Sequence, residues 1–385
     1  MKKKFDVAVI GAGPVGSYTA YRLAKAGFSV VLLEEHPVVG EPRHCTGVLG
    51  REAFDRFPEL PKEAIQAKLS AAWIVSPSGE RVRTDWFEGQ AFVVQRSVFD
   101  RYLADLAVQA GVELRRSSSV QALHLNSQEL RLEIQNGGSD PQVVTAAMAV
   151  LASGVSYRLH PQIGLIPPGT YLHCAQTEVE SDVIDEVEVY IGQHVAPGSF
   201  AWSVPIGGKR VRVGVTAHRM AAQHLESLLA GPLLRGRIRL LEGGIVKRPV
   251  PIQPIACSVA DRVLLAGDAA GQVKPTTGGG IYYGLVGAEL AAETIGRAFA
   301  AGRFDRSFLM AYDRAWKRKL GKEMWLGSLG RKVFESMKDE RLNRLVRAAH
   351  LKEVSHSVSK NAHFDWHAGK VLSFLMSPRV LWELI

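Results

Sequence analysis

The sequence predicts an α/β fold, α+β overall. A Rossmann-like dinucleotide-binding domain is joined to an antiparallel β-sheet domain and to C-terminal helices. Three patterns predict this: a glycine-rich turn between a strand and a helix, period-two alternation in the middle of the chain, and helical periodicity after residue 300. The 385 residues are 46% hydrophobic and 22% charged, which excludes a disordered or collagen-like chain. The three cysteines form no close pair, so we expect no disulfide framework and a reducing compartment.

The first element is a nucleotide-binding unit. Residues 5–10 are an apolar run typical of a buried strand, and Gly11-Ala12-Gly13-Pro14-Val15-Gly16 follows directly. A helix is predicted over 17–26 and a second strand over 29–33, which ends at Glu34. This order of elements predicts binding of an adenine dinucleotide: a strand, the GxGxxG turn, a helix, a second strand and an acidic residue.

Each residue type in this unit has a physical role. Gly11 permits the tight turn, Gly13 lets the backbone approach a pyrophosphate, and Gly16 lets the helix pack closely. The N-terminus of the helix offers unpaired N–H groups and a partial positive charge to the phosphates. Glu34 can accept hydrogen bonds from both ribose hydroxyls and would repel a 2′-phosphate, which disfavours NADP at this site.

A second glycine-rich segment lies far along the chain. A strand is predicted over 262–266, Asp268 follows it, and Gly278-Gly279-Gly280 opens a helix that extends to about residue 300. Asp268 can hold a ribityl hydroxyl, and the N–H groups near Gly280 and Ile281 can face the electron-rich edge of a reduced flavin. A cofactor with a pyrophosphate at one end and a flavin at the other needs two such places, so the pair predicts FAD.

These motifs carry a resemblance to a known family. The pattern GDAAGQxxPxxGGGI over 267–281, with the first glycine-rich turn and Glu34, resembles the geranylgeranyl reductases, flavoproteins built like p-hydroxybenzoate hydroxylase. Residues 41–49 resemble the family's cysteine loop, 96–100 its Arg-x-x-Phe-Asp helix start, and 200–205 its aromatic-x-Trp-x-Phe-Pro motif.

The resemblance implies specific site residues. The FAD contacts that it implies are Gly11, Gly13, Gly16, Ser17, Glu34, Cys45, Thr46, Val48, Arg96, Val120, Asp268, Gly280 and Ile281. The substrate contacts are Phe200, Trp202, Val204 and Pro205. Cys45 is also the candidate catalytic residue, although a free cysteine is often only a small buried hydrophobe.

Two departures from the family pattern affect these expectations. The cysteine loop reads Cys-Thr-Gly-Val over 45–48 instead of Cys-Gly-Glu-Gly, so its backbone can bend differently. Ser153-Gly154 stands where the hydroxylase relatives carry an Asp-Gly pair that bears on nicotinamide-nucleotide use. The electron donor is therefore left open between NAD(P)H that docks transiently and a ferredoxin.

The middle of the chain predicts a wall over the flavin. Residues 171–179, 187–191, 199–204 and 211–215 read as strands of an antiparallel sheet, and the first, third and fifth residues of 200–204 share one face. They line an apolar substrate pocket or are ordinary core. The predicted domains are 1–50, 91–160 and 245–300 for FAD; 51–90 and 161–244 for the substrate; and 301–385 as a helical region.

The C-terminal region combines positive charge with apolar residues. Residues 301–350 hold 13 lysines and arginines against six acidic residues, and 371–382 is markedly apolar. These helices suit a cytoplasmic protein peripheral to the inner face of an anionic membrane, or they cap the cavity and bury their apolar faces. No stretch is long and apolar enough for a transmembrane helix. No nucleic-acid motif accompanies the charge, and no metal-ligand spacing is present.

The resemblance implies an FAD-dependent oxidoreductase acting on CH–CH groups: hydride passes from flavin N5 to a carbon–carbon double bond of a prenyl (geranylgeranyl-type) lipid. Two alternatives use the same architecture. A flavin monooxygenase or halogenase would activate oxygen, and 200–205 also resembles the halogenase Trp-x-Trp-x-Ile-Pro motif. A non-catalytic prenyl-lipid carrier would not need an intact FAD site.

Overall fold

The computed structural model describes residues 4–42, 45–85, 91–126, 128–136 and 141–349. The strands are β1 (Lys4–Ile10), β2 (Val30–Leu33), β3 (Val48–Gly50), β4 (Ile65–Leu69), β5 (Ala71–Val75), β6 (Arg81–Asp85), β7 (Ala91–Val94), β8 (Glu113–Arg115), β9 (Ser119–Leu125), β10 (Leu130–Gln135), β11 (Gln142–Leu151), β12 (Tyr171–Glu180), β13 (Val187–Ile191), β14 (Phe200–Gly207), β15 (Arg210–Ala217), β16 (Arg239–Leu240), β17 (Val246–Pro251), β18 (Val259–Ala260) and β19 (Val263–Leu265). The helices are α1 (Pro14–Lys25), α2 (Arg51–Arg56), α3 (Arg96–Gln109), α4 (Ala221–Ala230), α5 (Ile281–Ala301), α6 (Arg306–Glu335) and α7 (Asp339–Ala349).

The first sheet is built around β1, which lies between β2 and β11 and is parallel to both. Strand β19 extends it beyond β11, and β8 extends it beyond β2, again in parallel. Val7 and Val9 of β1 pack in one core with α1, α3 and α5, while Ala8 and Ile10 pack in a second core on the other face. Burial on both faces explains why the strand is apolar at every position from Val7 to Ile10. The predicted Rossmann-like domain is confirmed.

The second sheet has the order β16-β12-β15-β14-β13-β5-β6, and β17 also pairs with β12. Its pairs are antiparallel as predicted, except that β5 lies parallel to β13. A smaller sheet of β3, β7 and β4 stands beside it, and β4 contacts β14. The second sheet therefore has one face against α4 and the other toward the first domain.

Helix α6 packs against the first domain, and α7 packs against β6 of the second sheet. Asp305 caps α6, since its side chain accepts a hydrogen bond from the Phe308 N–H. The predicted helical stripe of α6 is buried, with Leu309, Tyr312 and Trp316 at 0% exposure. Much of the apolar periodicity thus serves the protein core. No helix among the described residues is long and apolar enough to cross a membrane. The predicted apolar segment 371–382 lies outside the described residues.

Candidate active site

A cavity of about 850 Å³ lies between the first and second sheets, and both glycine-rich segments line it. This volume falls in the upper part of the range of about 300–1,000 Å³ typical of ligand and cofactor sites. Parallel strands that end at one sheet edge leave such a crevice beyond their carboxyl ends. The two segments, which are about 260 residues apart in sequence, are thus brought together as predicted.

The first segment forms a tight backbone turn at the end of β1. Gly11 has φ +100°, and a Cβ there would lie 2.5 Å from the Ala152 carbonyl oxygen. A Cβ at Gly16 would lie 1.9 Å from the Gly11 carbonyl oxygen, so the helix can approach the strand only with glycine. A Cβ at Gly13 would meet nothing within 4 Å, because this position faces the open cavity.

Glu34 lies at one end of the cavity, at the end of β2. Its Oε2 accepts from the Ala12 N–H at 2.8 Å, and its Oε1 lies 2.7 Å from His36 Nδ1. Oε1 also accepts from the His36 N–H at 3.0 Å. These contacts fix the carboxylate at the cavity wall, and Oε2 keeps a further lone pair for a ligand hydroxyl. Val120 also lines this end, 4% exposed, beside Ser118. Ser17 is fully buried and donates to the Ala12 carbonyl at 3.0 Å, so it lies behind the turn and does not line the cavity.

The second segment brings Asp268 and the start of α5 to the same cavity. A Cβ at Gly280 would lie 2.6 Å from Asp268 Oδ1, so the carboxylate passes close over the Gly280 backbone. Burial raises the pKa of Asp268, and Arg248 and Arg96 oppose that rise. The carboxylate oxygens make no hydrogen bond to the described protein residues and are directed into the cavity. Ile281 begins α5 at the cavity wall.

The cysteine loop faces the cavity from between these two ends. Gly47 has φ +83°, and a Cβ there would lie 2.3 Å from the Val94 carbonyl oxygen. Although the loop sequence departs from the family pattern, position 47 therefore requires glycine. The Gly47 N–H donates to Cys45 Sγ at 3.3 Å. Thr46 donates from its hydroxyl to Gln176 Oε1 at 3.0 Å, which joins the loop to the second sheet. Cys45, Thr46 and Val48 all line the cavity.

Arg96 begins α3 and lines the cavity. Its Nε and Nη2 donate to the two carboxylate oxygens of Asp100 at 2.8 and 2.7 Å. Burial lowers the pKa of Arg96, but Asp100 and, to a smaller extent, Cys45 raise it by more, so the pKa of Arg96 lies above its ordinary value. Burial raises the pKa of Asp100, against the lowering influence of Arg96. The arginine is therefore held rigidly by a carboxylate that is itself withdrawn from solvent.

An apolar arm leads from the centre of the cavity toward α7. Phe200, Trp202 and Val204 lie on one face of β14 and line this arm, as the period-two pattern predicted. The indole lies flat across the neighbouring strand, where a Cβ at Gly214 would be 2.2 Å from its Cζ2. Its buried Nε1 has no hydrogen-bond partner among the described residues. Pro205 falls on the opposite face of the strand and does not line the cavity, because successive side chains alternate.

Sequence reasoning missed several cavity residues. Arg248 enters from β17, and Cys174, opposite it on β12, presents a second thiol whose pKa burial raises to about 12. Leu345 and Val346 of α7 line the far end of the arm. None belongs to a motif, and only strand register and helix packing bring them to the cavity. Among the described residues, no group of three or more histidine, cysteine or acidic side chains could hold a metal.

Comparison with known proteins places this geometry in context. The model of the lycopene cyclase protein family matches residues 6–351. Digeranylgeranylglycerophospholipid reductase 2 of Methanothermobacter thermautotrophicus is 32% identical over 370 residues, 93% of this chain and 94% of the relative. The geranylgeranyl bacteriochlorophyll reductase-like protein of Thermoplasma acidophilum superposes with a TM-score of 0.87 at 21% identity, covering 100% of this chain and 99% of that one. A myxobacterial FAD-dependent halogenase gives 0.71 at 19% identity, covering 98% and 99%.

The fold is that of the FAD-binding flavoprotein oxidoreductases, and halogenases and monooxygenases share it. Within that class, the chain belongs to the geranylgeranyl reductase family, and it also matches the lycopene cyclase family model. The family resemblance carried by the sequence motifs is thereby confirmed.

Proposed function

We propose that the protein is an FAD-dependent reductase of carbon–carbon double bonds in the prenyl chains of a lipid. The observation that carries this proposal is the continuity of the cavity, which joins both glycine-rich turns to an apolar arm. The curated relative is named for reduction of a digeranylgeranylglycerophospholipid, which supports a substrate of that chemical class. Family membership favours this reaction over oxygen activation, and the intact cofactor residues favour it over a carrier.

The residues of the cavity fit an FAD. Gly13 leaves the backbone open where a pyrophosphate would approach, and the N-terminus of α1 adds a positive dipole end. Glu34 stands at one end for a ribose, and Asp268 offers a half-buried carboxylate without a described hydrogen-bond partner for a ribityl hydroxyl. The backbone at Gly280 and Ile281 would face the ring. When bound, the flavin supplies a hydride to one carbon of the alkene.

The two sheets have different proposed roles, one in binding the cofactor and the other in binding the substrate. We propose 1–50, 91–160 and 245–300 as the cofactor domain, 51–90 and 161–244 as the substrate domain, and 301–385 as the helical region. Within 245–300, strand β17 pairs with β12 and so adds the cofactor segment's first strand to the second sheet. The second sheet closes the cavity opposite the cofactor residues and excludes water from the reacting atoms. Trp202 and its apolar neighbours on β14 hold the prenyl chain flat by dispersion contacts and hydrophobic burial.

Cys45 is the candidate for the proton that the second alkene carbon must receive. Its thiol lines the cavity beside Arg96, between the cofactor residues and the apolar arm. An electron donor must first reduce the cofactor, and NAD(P)H and a ferredoxin are the two classes that we propose. Ser153 and Gly154 line the cavity where a relative's aspartate would stand.

We propose that the protein lies peripherally on an anionic membrane through the outer face of α6. Arg314, Arg318 and Lys322 are exposed on successive turns, and Trp325, Leu329 and Val333 continue the same stripe at 65%, 38% and 37% exposure. The opposite face of the final turns contributes Gly330, Arg331 and Phe334 to the cavity wall. The basic part of the stripe would meet anionic lipid headgroups, and the apolar part would meet the acyl chains. The stripe lies beside the apolar arm, which suits a lipid substrate.

The proposed reaction is tested under anaerobic conditions. Dithionite-reduced protein is incubated with geranylgeranyl diphosphate, a digeranylgeranyl glycerophospholipid and menaquinone in separate reactions, and product masses are recorded. We expect the mass to rise by two hydrogens per reduced bond for at least one prenyl compound. A product that forms only with oxygen, or that carries a hydroxyl or halide, would contradict the proposal.

A further inference from the structure

Arg248 presents a cation to the cavity that forms no ion pair with a described protein group, although its charge lowers the pKa of Asp268 and of Asp100. It lies on β17, is half-buried and lines the cavity wall. Arg96, Arg158 and Arg331 line the same cavity, but each donates to a carboxylate or carbonyl group of the protein. Among the described residues, Arg248 makes no hydrogen bond or ion pair. A half-buried cation without a partner is costly, so its position calls for an anionic ligand.

The position of Arg248 indicates which part of a ligand it meets. A Cβ at Gly154 would lie 2.9 Å from Arg248 Nη2, so the guanidinium reaches across from the second sheet to the loop after β11. That loop also carries Ala152, which packs against Gly11 of the first glycine-rich turn. The charge of Arg248 acts on Asp268 at the other end. The guanidinium therefore lies between the two glycine-rich turns.

On the basis of the proposed function, we infer that Arg248 binds a phosphate group, and specifically the diphosphate of the dinucleotide held between the two turns. A guanidinium presents a planar fork of donors that matches phosphate oxygens. Arg96 is already paired with Asp100, so Arg248 is the guanidinium left to meet the phosphate charge. Because Arg248 lies on a strand of the second sheet and Gly13 in the turn that follows β1 of the first sheet, the contact would tie the two sheets together across the cofactor.

The test uses binding to the full-length apoprotein. Wild type, Arg248→Gln, Arg248→Lys and Lys247→Gln are titrated with FAD and with riboflavin, which lacks phosphate, and flavin fluorescence is followed. Lys247 is the exposed neighbour on the same strand and serves as the matched control. We expect Arg248→Gln to bind FAD roughly 10- to 100-fold more weakly and riboflavin unchanged, with Arg248→Lys intermediate. Lys247→Gln should bind both like wild type.

The outcomes separate the sources of the phosphate. If Arg248→Gln and Arg248→Lys bind FAD as wild type does, the assignment to the dinucleotide is overturned. If Arg248→Gln binds FAD normally but loses affinity for a prenyl phosphate, and keeps its affinity for the matching prenyl alcohol, the phosphate that Arg248 binds belongs to the lipid. Equal weakening of FAD and riboflavin would show a general loss of the cavity and would also overturn the inference. A wild-type protein that takes up no FAD would refute the proposed function itself.

Discussion

Replacing Gly214 with alanine should displace Trp202 into the apolar arm. The added Cβ would lie 2.2 Å from Cζ2, 2.5 Å from Cε2 and 2.9 Å from Cη2 of the indole. Carbon atoms in contact prefer about 3.5–4.0 Å, so the ring must move by more than ~1 Å. The indole is only 8% exposed and packs against Phe200, so the open direction is the cavity. Overpacking of this kind costs about 1–3 kcal/mol of the free energy of unfolding.

The assay compares three quantities in the variant and wild type. Thermal unfolding should show the loss of stability, and kcat/KM for the prenyl lipid should fall roughly tenfold, equivalent to ~1.4 kcal/mol. FAD affinity should stay unchanged, because Gly214 is not among the cofactor residues. Gly321→Ala is the control, since a Cβ there meets nothing within 4 Å. Trp202→Phe combined with Gly214→Ala should recover part of the loss, because it removes the clashing atoms. Wild-type stability and kcat/KM in Gly214→Ala would refute the reasoning.

Three further predictions concern other parts of the molecule. Asp268→Asn should stabilise the apoprotein at neutral pH and weaken FAD binding, because burial raises the folded-state pKa of this carboxyl and its ionised form destabilises the fold. This gain in stability should shrink as the pH falls from above the raised pKa of Asp268 to below the ordinary carboxyl range. Thermal melting of both proteins at a series of pH values checks this, and a gain that does not change with pH would contradict the prediction. Cys45→Ser should keep FAD affinity but lower kcat and alter its pH profile, and an unchanged kcat would exclude an acid role. Arg318→Glu with Lys322→Glu should reduce co-sedimentation with anionic vesicles more than tenfold at low salt, with little change for neutral vesicles; equal binding would remove the α6 face as a membrane contact.

The parts of the fold that local backbone geometry dictates were predictable. Gly11 and Gly16 are required because any Cβ would strike a neighbouring carbonyl oxygen, and such a requirement is visible in the sequence. The apolar runs of the first sheet and the alternation on β14 likewise follow from burial on two faces or on one. These local features fixed the fold class and most of the cofactor residues.

The parts that depend on long-range register were not predictable. Arg248 reaches the cavity only because β17 pairs with β12, and nothing in its neighbours marks that pairing. The parallel contact of β5 with β13 joins segments more than 100 residues apart. Pro205 belongs to the family motif but lies on the outer face of its strand, since a motif does not state which of its residues point inward. The end of the arm at Leu345 depends on how α7 docks.

The central claim is that reduced flavin in this cavity passes its electrons directly to a prenyl double bond. It is tested most directly by mixing the dithionite-reduced, FAD-loaded protein with the unsaturated lipid in an anaerobic stopped-flow instrument and following the flavin absorbance. We expect the oxidised flavin spectrum to return without oxygen, at a rate that rises with lipid concentration. A flavin that stays reduced with every prenyl lipid until oxygen is admitted would contradict the claim.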